Sequence, residues 1–259
     1  MPIETIRGEP FNIRIDGPTD APVLLLSNSL GTNLSMWDPQ IPEWSKAFRV
    51  VRYDSRGHGQ STAADKPYSI AMLGEDALAI LDHLGIAKAH WCGLSKGGMV
   101  GQWLATHAGK RLDRVVLANT GARMGPPDLW NTRIKSVRAN GMAGLVQPIL
   151  ERWFSQEFRE RDSATIAKVS DMLSTTPPLG YANCCAAIRD MDQREPIRAI
   201  TNPVLVVIGK VDPATPPAAG QLIADSIHGA QTVELDAAHL SNLEQPAAFT
   251  TAVLDFLQA

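Results

Sequence analysis

A serine enclosed by glycines is the strongest chemical signal in this sequence of 259 residues. It lies in the pentapeptide Gly93-Leu94-Ser95-Lys96-Gly97, which follows the apolar run His90-Trp91-Cys92 and opens a helical pattern. A nucleophile on a tight strand-to-helix turn needs small residues two positions to either side, because a Cβ there would clash with the neighbouring strand and helix. The spacing therefore predicts that Ser95 is a nucleophile, with an ordinary glycine-bracketed turn as the alternative.

A serine hydroxyl becomes an effective nucleophile only when a base takes its proton and an acid orients that base. Asp212 comes just after an apolar run that ends at Ile208, and His239 comes just after the run Thr232–Asp236. The order serine, aspartate, histidine, each beyond a predicted strand, predicts acyl transfer by a catalytic triad. Taken singly, Asp212 could be a turn residue before Pro213, and His239 could be an ordinary loop histidine.

Metal-assisted hydrolysis is the weaker mechanism, since the sequence has no H-E-x-x-H motif. Four other histidines fit a general base poorly, because they lie within helical patterns, at a strand start or after a helix end: His83, His107, His90 and His228. The sequence therefore predicts neither a metal nor a cofactor.

Short apolar runs rich in β-branched residues predict the strands that position these side chains. The runs are Phe11–Asp16, Pro22–Asn28, Arg49–Asp54, His90–Gly93, Arg114–Asn119, Pro203–Gly209 and Thr232–Asp236. Most are followed by a helical pattern, and a run as continuously apolar as Val204–Ile208 is typical of a strand covered on both faces. The sequence therefore predicts an α/β fold whose mostly parallel sheet is flanked by helices.

Helical patterns divide the chain into two parts. A crossover helix is predicted over Ile70–Leu84, where apolar residues repeat at helical spacing until Gly85. Over residues 121–200 the strand signals stop, and four helical patterns follow one another: Leu129–Asn140, Leu145–Phe154, Ala164–Leu173 and Tyr181–Asp190. We interpret this stretch as a helical cap inserted into an α/β core formed by residues 1–120 and 201–259.

Composition and charge narrow the class of ligand. The chain has 24 Lys+Arg against 27 Asp+Glu, and no window collects enough basic residues to neutralise a run of phosphates, so we expect no nucleic-acid partner. No apolar stretch approaches the roughly 20 residues that cross a bilayer. The N-terminus lacks the features of a secretory signal, and the three cysteines do not suit a disulfide framework. We expect a cytoplasmic protein with a small-molecule ligand and reduced, partly buried thiols.

Longer motifs resemble one enzyme family. The loop Tyr53–Ser61 matches the loop after an early strand in the α/β-hydrolase superfamily, where its glycines and Arg56 are expected to be structural. Within that superfamily the chain resembles the 3-oxoadipate enol-lactonases of the β-ketoadipate pathway of aromatic degradation. The matching segments are Ser27–Thr32, Trp130–Arg133, Val137–Met142 and Cys184–Asp192. These motifs are more specific than the triad.

The resemblance implies an oxyanion hole made of two backbone N–H groups, one after the nucleophile and one after an early strand. The matching positions are Lys96 and Leu30, with an ordinary strand-to-loop turn as the alternative. The early loop reads Asn-Ser-Leu-Gly at residues 28–31, a variant that the enol-lactonases share. Lys96 departs from the methionine associated with this family, and we expect its side chain to point to solvent rather than attract an anionic substrate.

The resemblance also implies a substrate, a five-membered enol-lactone with a free acetate side chain, which hydrolysis converts to 3-oxoadipate. Its carboxylate requires a cationic partner, for which Arg133 and Arg138 are the leading candidates, with Trp130 as an apolar wall. Each of these side chains could instead be ordinary surface or packing. Two further function classes stay open: a general serine esterase or perhydrolase that prefers uncharged esters, and a non-catalytic binding protein on the same fold.

Overall fold

An eight-stranded sheet forms the centre of the computed structural model, which describes residues 3–259. Its strands are β1 (Ile3–Ile6), β2 (Glu9–Asp16), β3 (Val23–Ser27), β4 (Arg49–Tyr53), β5 (Ala89–Leu94), β6 (Leu112–Ala118), β7 (Val204–Gly209) and β8 (Gln231–Leu235). Strands β2 to β8 match the predicted ones. Strand β1 is not among the predicted strands, because it is a four-residue edge strand that pairs only with β2 and is mostly solvent-accessible.

The strands lie in the order β1-β2-β4-β3-β5-β6-β7-β8. Strand β2 runs antiparallel to β1 and β4, whereas the pairings from β4 to β8 are parallel. Every residue of β7 is buried, as expected for a strand that is covered on both faces. The predicted α/β fold with a mostly parallel sheet is confirmed, and the carboxyl ends of its parallel strands meet at one edge.

Helices cover both faces and the carboxyl edge of this sheet. They are α1 (Ile41–Trp44), α2 (Ile70–His83), α3 (Lys96–Ala108), α4 (Pro127–Asn140), α5 (Ala143–Trp153), α6 (Gln156–Arg161), α7 (Ser163–Thr175), α8 (Pro178–Asp190), α9 (Pro217–Ser226), α10 (Ser241–Glu244) and α11 (Pro246–Gln258). Helix α2 has the predicted bounds to within one residue, since the Ser69 hydroxyl caps its start and Gly85, at φ 67°, follows its end. None of the helices in residues 3–259 is long and apolar enough to cross a bilayer.

Helices α4 to α8 lie between β6 and β7, where the sequence predicts helices. Helix α6 is not among the predicted patterns, because its six residues are too few to show a period. Its start is marked instead by a cap, in which the Ser155 hydroxyl accepts the Phe158 N–H at 3.2 Å. Trp153 and Thr176 bond to loops at the carboxyl edge of the sheet, so this α4–α8 segment covers that edge.

The three cysteines lie deeper than the sequence suggests. Cys92 on β5 and the neighbours Cys184 and Cys185 on α8 are each fully buried, unpaired thiols. Burial raises the pKa of all three thiols, because a thiolate is poorly solvated there. They therefore pack as small neutral thiols in the core, where Cys184 also donates to the Arg56 carbonyl oxygen at 3.5 Å.

Candidate active site

Ser95 lies at the turn between β5 and α3. Its backbone has φ 56° and ψ −114°, a strained conformation for a residue other than glycine. A Cβ on Gly97 would overlap the Ser27 carbonyl oxygen, and a Cβ on Gly93 would overlap the Gly97 carbonyl. The two glycines therefore allow strand and helix to close tightly around the serine, which is the geometry that a nucleophile elbow requires.

The Asp212 carboxylate lies just beyond β7 and is almost completely buried. Its Oδ1 accepts the backbone N–H groups of Ala214 (2.8 Å) and Thr215 (3.0 Å), and its Oδ2 accepts the Thr215 hydroxyl (2.6 Å), the Asn119 amide (3.1 Å) and His239 Nδ1 (2.8 Å). Burial opposes the charge of this group, but His239 and the hydrogen bonds outweigh it and lower the pKa of Asp212 to about 2. The carboxylate is therefore ionised at neutral pH.

His239 follows β8 and lies between Asp212 and a cavity that it shares with Ser95. Because an ionised carboxylate can only accept, Nδ1 carries the proton and Nε2 is left as a base. The backbone N–H of His239 donates to the Trp153 carbonyl oxygen at 3.0 Å. The Ser95 hydroxyl has no hydrogen-bond partner within residues 3–259, so its contact with His239 must tighten when a substrate binds.

Two backbone N–H groups near Ser95 have no acceptor among residues 3–259. Leu30 follows β3 and borders the same cavity as Ser95, and Lys96 is the first residue of α3. The first N–H groups of a helix lack partners inside it and carry partial positive charge. Neither the Leu30 nor the Lys96 N–H is bonded within the described part of the chain. The pair can therefore donate to an oxyanion formed at Ser95.

The Lys96 side chain is fully buried, so the expectation that it points to solvent is wrong. Its amine donates to the Ser55 hydroxyl in the loop after β4. The cause is the position of residue 96, which begins α3 against that loop, where no solvent reaches. Burial lowers the pKa of Lys96, although Cys184 and Asp54 partly oppose this effect.

A cavity of about 270 Å³ lies between the carboxyl edge of the sheet and the α4–α8 segment. Its apolar lining comes mainly from Leu30, Met99, Met124, Leu129, Trp130, Ile149, Trp153 and Ile188. Three arginines, Arg123, Arg133 and Arg152, also border it, and no acidic side chain of the described residues does. The cavity therefore combines the candidate nucleophile and the candidate base with apolar walls and an excess of positive charge.

Comparison with known proteins places this chain in a family. The profile of the alpha/beta hydrolase fold matches residues 22–246. The chain belongs to the α/β-hydrolase family. Two curated relatives from Acinetobacter baylyi, 3-oxoadipate enol-lactonase 2 and 3-oxoadipate enol-lactonase 1, are 43% and 40% identical over 94% and 98% of this chain, and over 91% and 95% of their own lengths.

A solved structure of an α/β hydrolase agrees with these relatives. The crystal structure of the enol-lactonase from Burkholderia xenovorans LB400 has a TM-score of 0.98 and 45% sequence identity, and the match covers 100% of both chains. These findings confirm the resemblance to the 3-oxoadipate enol-lactonases.

Of the two arginines predicted to bind a substrate carboxylate, this α/β hydrolase places one at the cavity. Arg133 borders it, and its guanidinium carbon lies 5.1 Å from the ring centroid of Trp130, which lines the same wall. Arg138 does not border it, because its guanidinium pairs with Asp65 at 3.0 Å and donates to Asn183 at 2.7 Å. Positions five residues apart on a helix with 3.6 residues per turn point in different directions.

Asn119 is a site residue that the sequence analysis misses. It lies just beyond β6 at φ 43°, and its amide donates to Asp212 at 3.1 Å and to the Ala238 carbonyl at 3.0 Å. Its Oδ1 accepts the Ser241 hydroxyl at 2.5 Å. Asn119 thereby links the loops that carry the acid and the base. The only signal for it is an asparagine, which tolerates the left-handed region, as the last residue of the predicted strand Arg114–Asn119.

Proposed function

We propose that this α/β hydrolase opens 3-oxoadipate enol-lactone and releases 3-oxoadipate, the activity for which its Acinetobacter baylyi relatives are named. The observation that carries the proposal is a cavity that holds Ser95, His239 and three arginines but no acidic side chain of the described residues. The serine and the histidine supply the chemistry of carboxylic ester hydrolysis, and the arginines favour a substrate with a free carboxylate. The resemblance places the reaction in the β-ketoadipate pathway of aromatic degradation.

The first step acylates Ser95. His239 takes the proton from the Ser95 hydroxyl as its oxygen adds to the lactone carbonyl carbon. The ionised Asp212, bonded to Nδ1, stabilises the imidazolium that forms. The charge that develops on the carbonyl oxygen is held by the Leu30 and Lys96 N–H groups, which have no other acceptor among the described residues.

Collapse of this intermediate breaks the ring C–O bond. The leaving group is an enolate, which stays attached through the carbon chain. It takes up the proton that His239 took from Ser95 and tautomerises to a ketone, so His239 is again a neutral base. Because an enolate leaves more readily than an alkoxide, this step depends more on the oxyanion donors than on proton donation by His239. A water that His239 activates then adds to the ester, the bond to Ser95 breaks, and 3-oxoadipate is released.

The acetate carboxylate of the substrate is expected to bind Arg133. Within the described residues no carboxylate pairs with this guanidinium, and Trp130 supports it at 5.1 Å. Arg152 also lacks an acidic partner but is largely exposed, and Arg123 lies 3.9 Å from Asp192 with half of its side chain exposed. Arg133 is therefore the strongest candidate, since its binding to substrate breaks no ion pair and Trp130 supports its guanidinium.

Residues 121–200 act in this proposal as a substrate-binding cap on a catalytic core of residues 1–120 and 201–259. The core supplies the nucleophile, the base, the acid and the oxyanion donors, while the cap supplies Arg133 and much of the apolar wall. Trp153 of the cap also accepts the backbone N–H of the catalytic histidine at 3.0 Å. The cap therefore helps to position the base as well as the substrate.

A matched pair of substrates tests the proposal: the enol-lactone itself and its methyl ester, which keeps the ring but has no free carboxylate. We expect kcat/KM to favour the free acid and Ser95→Ala to abolish turnover of both. Arg133→Ala should lower kcat/KM for the acid by about tenfold to a hundredfold, since a hydrogen bond to a charged group contributes about 1.5–3 kcal/mol. Arg138→Ala is the matched control, because its ion pair with Asp65 lies outside the cavity.

Each outcome separates the competing functions. If the methyl ester is the better substrate, the protein is a general serine esterase or perhydrolase. If neither compound is turned over, the fold serves a non-catalytic binding protein. If Arg133→Ala and Arg138→Ala behave alike, Arg133 does not bind the carboxylate.

A further inference from the structure

The loop of residues 29–31, which we call the oxyanion loop, is held from two sides at Gly31. The Gly31 N–H donates to His58 Nε2 at 2.7 Å, and its carbonyl oxygen accepts the Thr176 hydroxyl at 3.2 Å. Gly31 has φ 82°, and a Cβ there would lie 2.7 Å from the Leu173 side chain, so only glycine suits this position. Gly31, the residue after Leu30, is therefore fixed by His58 of the core and by Thr176 of the α4–α8 segment.

His58 can adopt only one hydrogen-bonding role in this environment. It is fully buried, and its Nδ1 lies 3.2 Å from the Arg56 carbonyl oxygen, which can only accept. Nδ1 therefore carries the proton, and Nε2 accepts the Gly31 N–H. Burial, and next the charge of Lys96, lower the pKa of His58 well below its ordinary value. The Cys184 thiol, 4.0 Å from Nδ1, is its other polar neighbour.

We propose that His58 is a positioning residue of the oxyanion hole, which acts through Gly31 on the Leu30 N–H. Leu30 and Gly31 present consecutive amides, and only the Gly31 amide has an acceptor within the described residues. If His58 were absent, the buried Gly31 N–H would need another acceptor, and the oxyanion loop would rotate to find one. With His58 present, the loop is fixed and the Leu30 N–H stays available for the substrate.

The inference rests on the proposed function, because the Leu30 N–H matters only if Ser95 attacks a carbonyl group. Removal of an entire oxyanion donor lowers kcat by about 10²–10³ in other enzymes. If the donor is misplaced rather than removed, the loss should be smaller, and we expect kcat to fall about tenfold to a hundredfold. KM should change little, because the contact forms with the charge of the transition state and not with the bound substrate.

Two amide variants of His58 differ only in reach. In His58→Gln the side-chain oxygen takes the place of Nε2 and can accept the Gly31 N–H, whereas in His58→Asn it stops at the place of Nδ1. We expect kcat for the enol-lactone to stay within about threefold of wild type in the glutamine variant and to fall about tenfold to a hundredfold in the asparagine variant. His58→Leu provides the apolar limit, and thermal melting shows which variants are folded.

Two further measurements separate positioning from general damage. Phenylboronic acid forms a tetrahedral adduct with an active-site serine, so its inhibition constant should rise in parallel with the loss of kcat. Hydrolysis of p-nitrophenyl acetate uses the same oxyanion donors, so the order of the variants should be the same even if the enol-lactone is not the substrate. Ser95→Ala, inactive on both substrates, shows separately that the serine mechanism holds.

Equal kcat in folded His58→Gln and His58→Asn would overturn the proposal, since the reach to Gly31 would then have no effect. A loss that appears in KM alone, with unchanged phenylboronic acid inhibition, would also overturn it. If His58→Leu does not fold, the comparison of kcat between His58→Gln and His58→Asn still tests the proposal. If wild type hydrolyses p-nitrophenyl acetate but not the enol-lactone, the proposed substrate fails, and the His58 comparison is judged on p-nitrophenyl acetate. If Ser95→Ala retains activity on both substrates, the serine mechanism fails, and the His58 proposal is overturned with it.

Discussion

Replacement of Lys96 by methionine measures how much a buried amine next to Ser95 lowers the free energy of unfolding. The side chain is completely buried, and its amine is bonded to the Ser55 hydroxyl. Among the described residues no carboxylate lies within ion-pair distance of this amine. Methionine has a similar length and fills irregular space in a core without a charge. The substitution therefore removes the polar group while it leaves the packing almost unchanged.

The magnitude follows from two opposing terms. Replacement of a buried ion pair by apolar groups of similar volume can stabilise a protein by about 1–4 kcal/mol, and we expect the lone buried amine of Lys96 to fall in the same range. The Ser55 hydroxyl loses a hydrogen bond, which costs about 1 kcal/mol. We expect Lys96→Met to raise the free energy of unfolding by about 2 kcal/mol at neutral pH.

The extra stability of the Lys96→Met variant should decrease as the pH rises. Burial lowers the pKa of Lys96 below its ordinary value of 10.5, so between the two pKa values the unfolded chain binds more protons than the folded one. Wild-type stability therefore rises with pH in that window. The advantage of the methionine variant is full below the folded-state pKa of Lys96 and shrinks as the pH rises toward the ordinary value.

Urea unfolding, followed by tryptophan fluorescence at neutral pH and at about pH 9.5, measures both quantities. The exposed Lys110 supplies the matched control, because Lys110→Met removes a solvated charge and should change stability very little. A Lys96→Met protein that is less stable than wild type would refute the reasoning. An advantage that is the same at both pH values would show that the amine is not the cause.

Three substitutions test other parts of the structure. Asp212→Asn should lower kcat by about 10³–10⁴ with little change in KM, because a neutral amide cannot stabilise the imidazolium; steady-state kinetics measure this, and a loss below tenfold would contradict the assigned role. Gly97→Ala should abolish turnover and lower the melting temperature, because its Cβ would overlap the Ser27 carbonyl; wild-type activity would contradict the elbow geometry. Asp76→Asn should lower the free energy of unfolding by about 2 kcal/mol, because Arg56, bonded to Asp76 twice at 2.7 Å, then keeps only Glu9, at 3.2 Å, as an acidic partner; urea unfolding measures this, and a loss below about 0.5 kcal/mol would contradict it.

The strands and the order of the triad could be predicted because both leave a local signal. A strand buried on both faces, such as Val204–Gly209, must be apolar along its whole length. A parallel sheet then brings the residues after each strand to one edge, so Ser95, Asp212 and His239 could be grouped without knowledge of their contacts. The tight turn at Ser95 leaves no space for a Cβ at the flanking glycines, and this requirement can be recognised from the sequence alone.

Other features depend on contacts between distant segments, which leave no local signal. Lys96 is buried because the loop after β4 covers it, although lysine as a residue type favours solvent. Arg138 is taken from the cavity by Asp65, which lies 73 positions away in the chain. Arg123 and Arg152 border the cavity through the packing of the α4–α8 segment. The sequence shows which charged residues are available to bind a substrate. Only the fold shows which of them border the cavity.

In the proposed mechanism the α4–α8 segment connects substrate binding with catalysis. Thr176 bonds to the oxyanion loop at Gly31, and Trp153 accepts the backbone N–H of His239, so both the proposed oxyanion donor and the base have an anchor in this segment. The same segment carries Arg133, whose guanidinium is expected to bind the substrate carboxylate. A carboxylate that fixes α4 therefore also stabilises the groups that act on the carbonyl. Binding energy from a part of the substrate that does not react can in this way lower the barrier to the reaction. Part of the loss in Arg133→Ala should consequently appear in kcat and not only in KM.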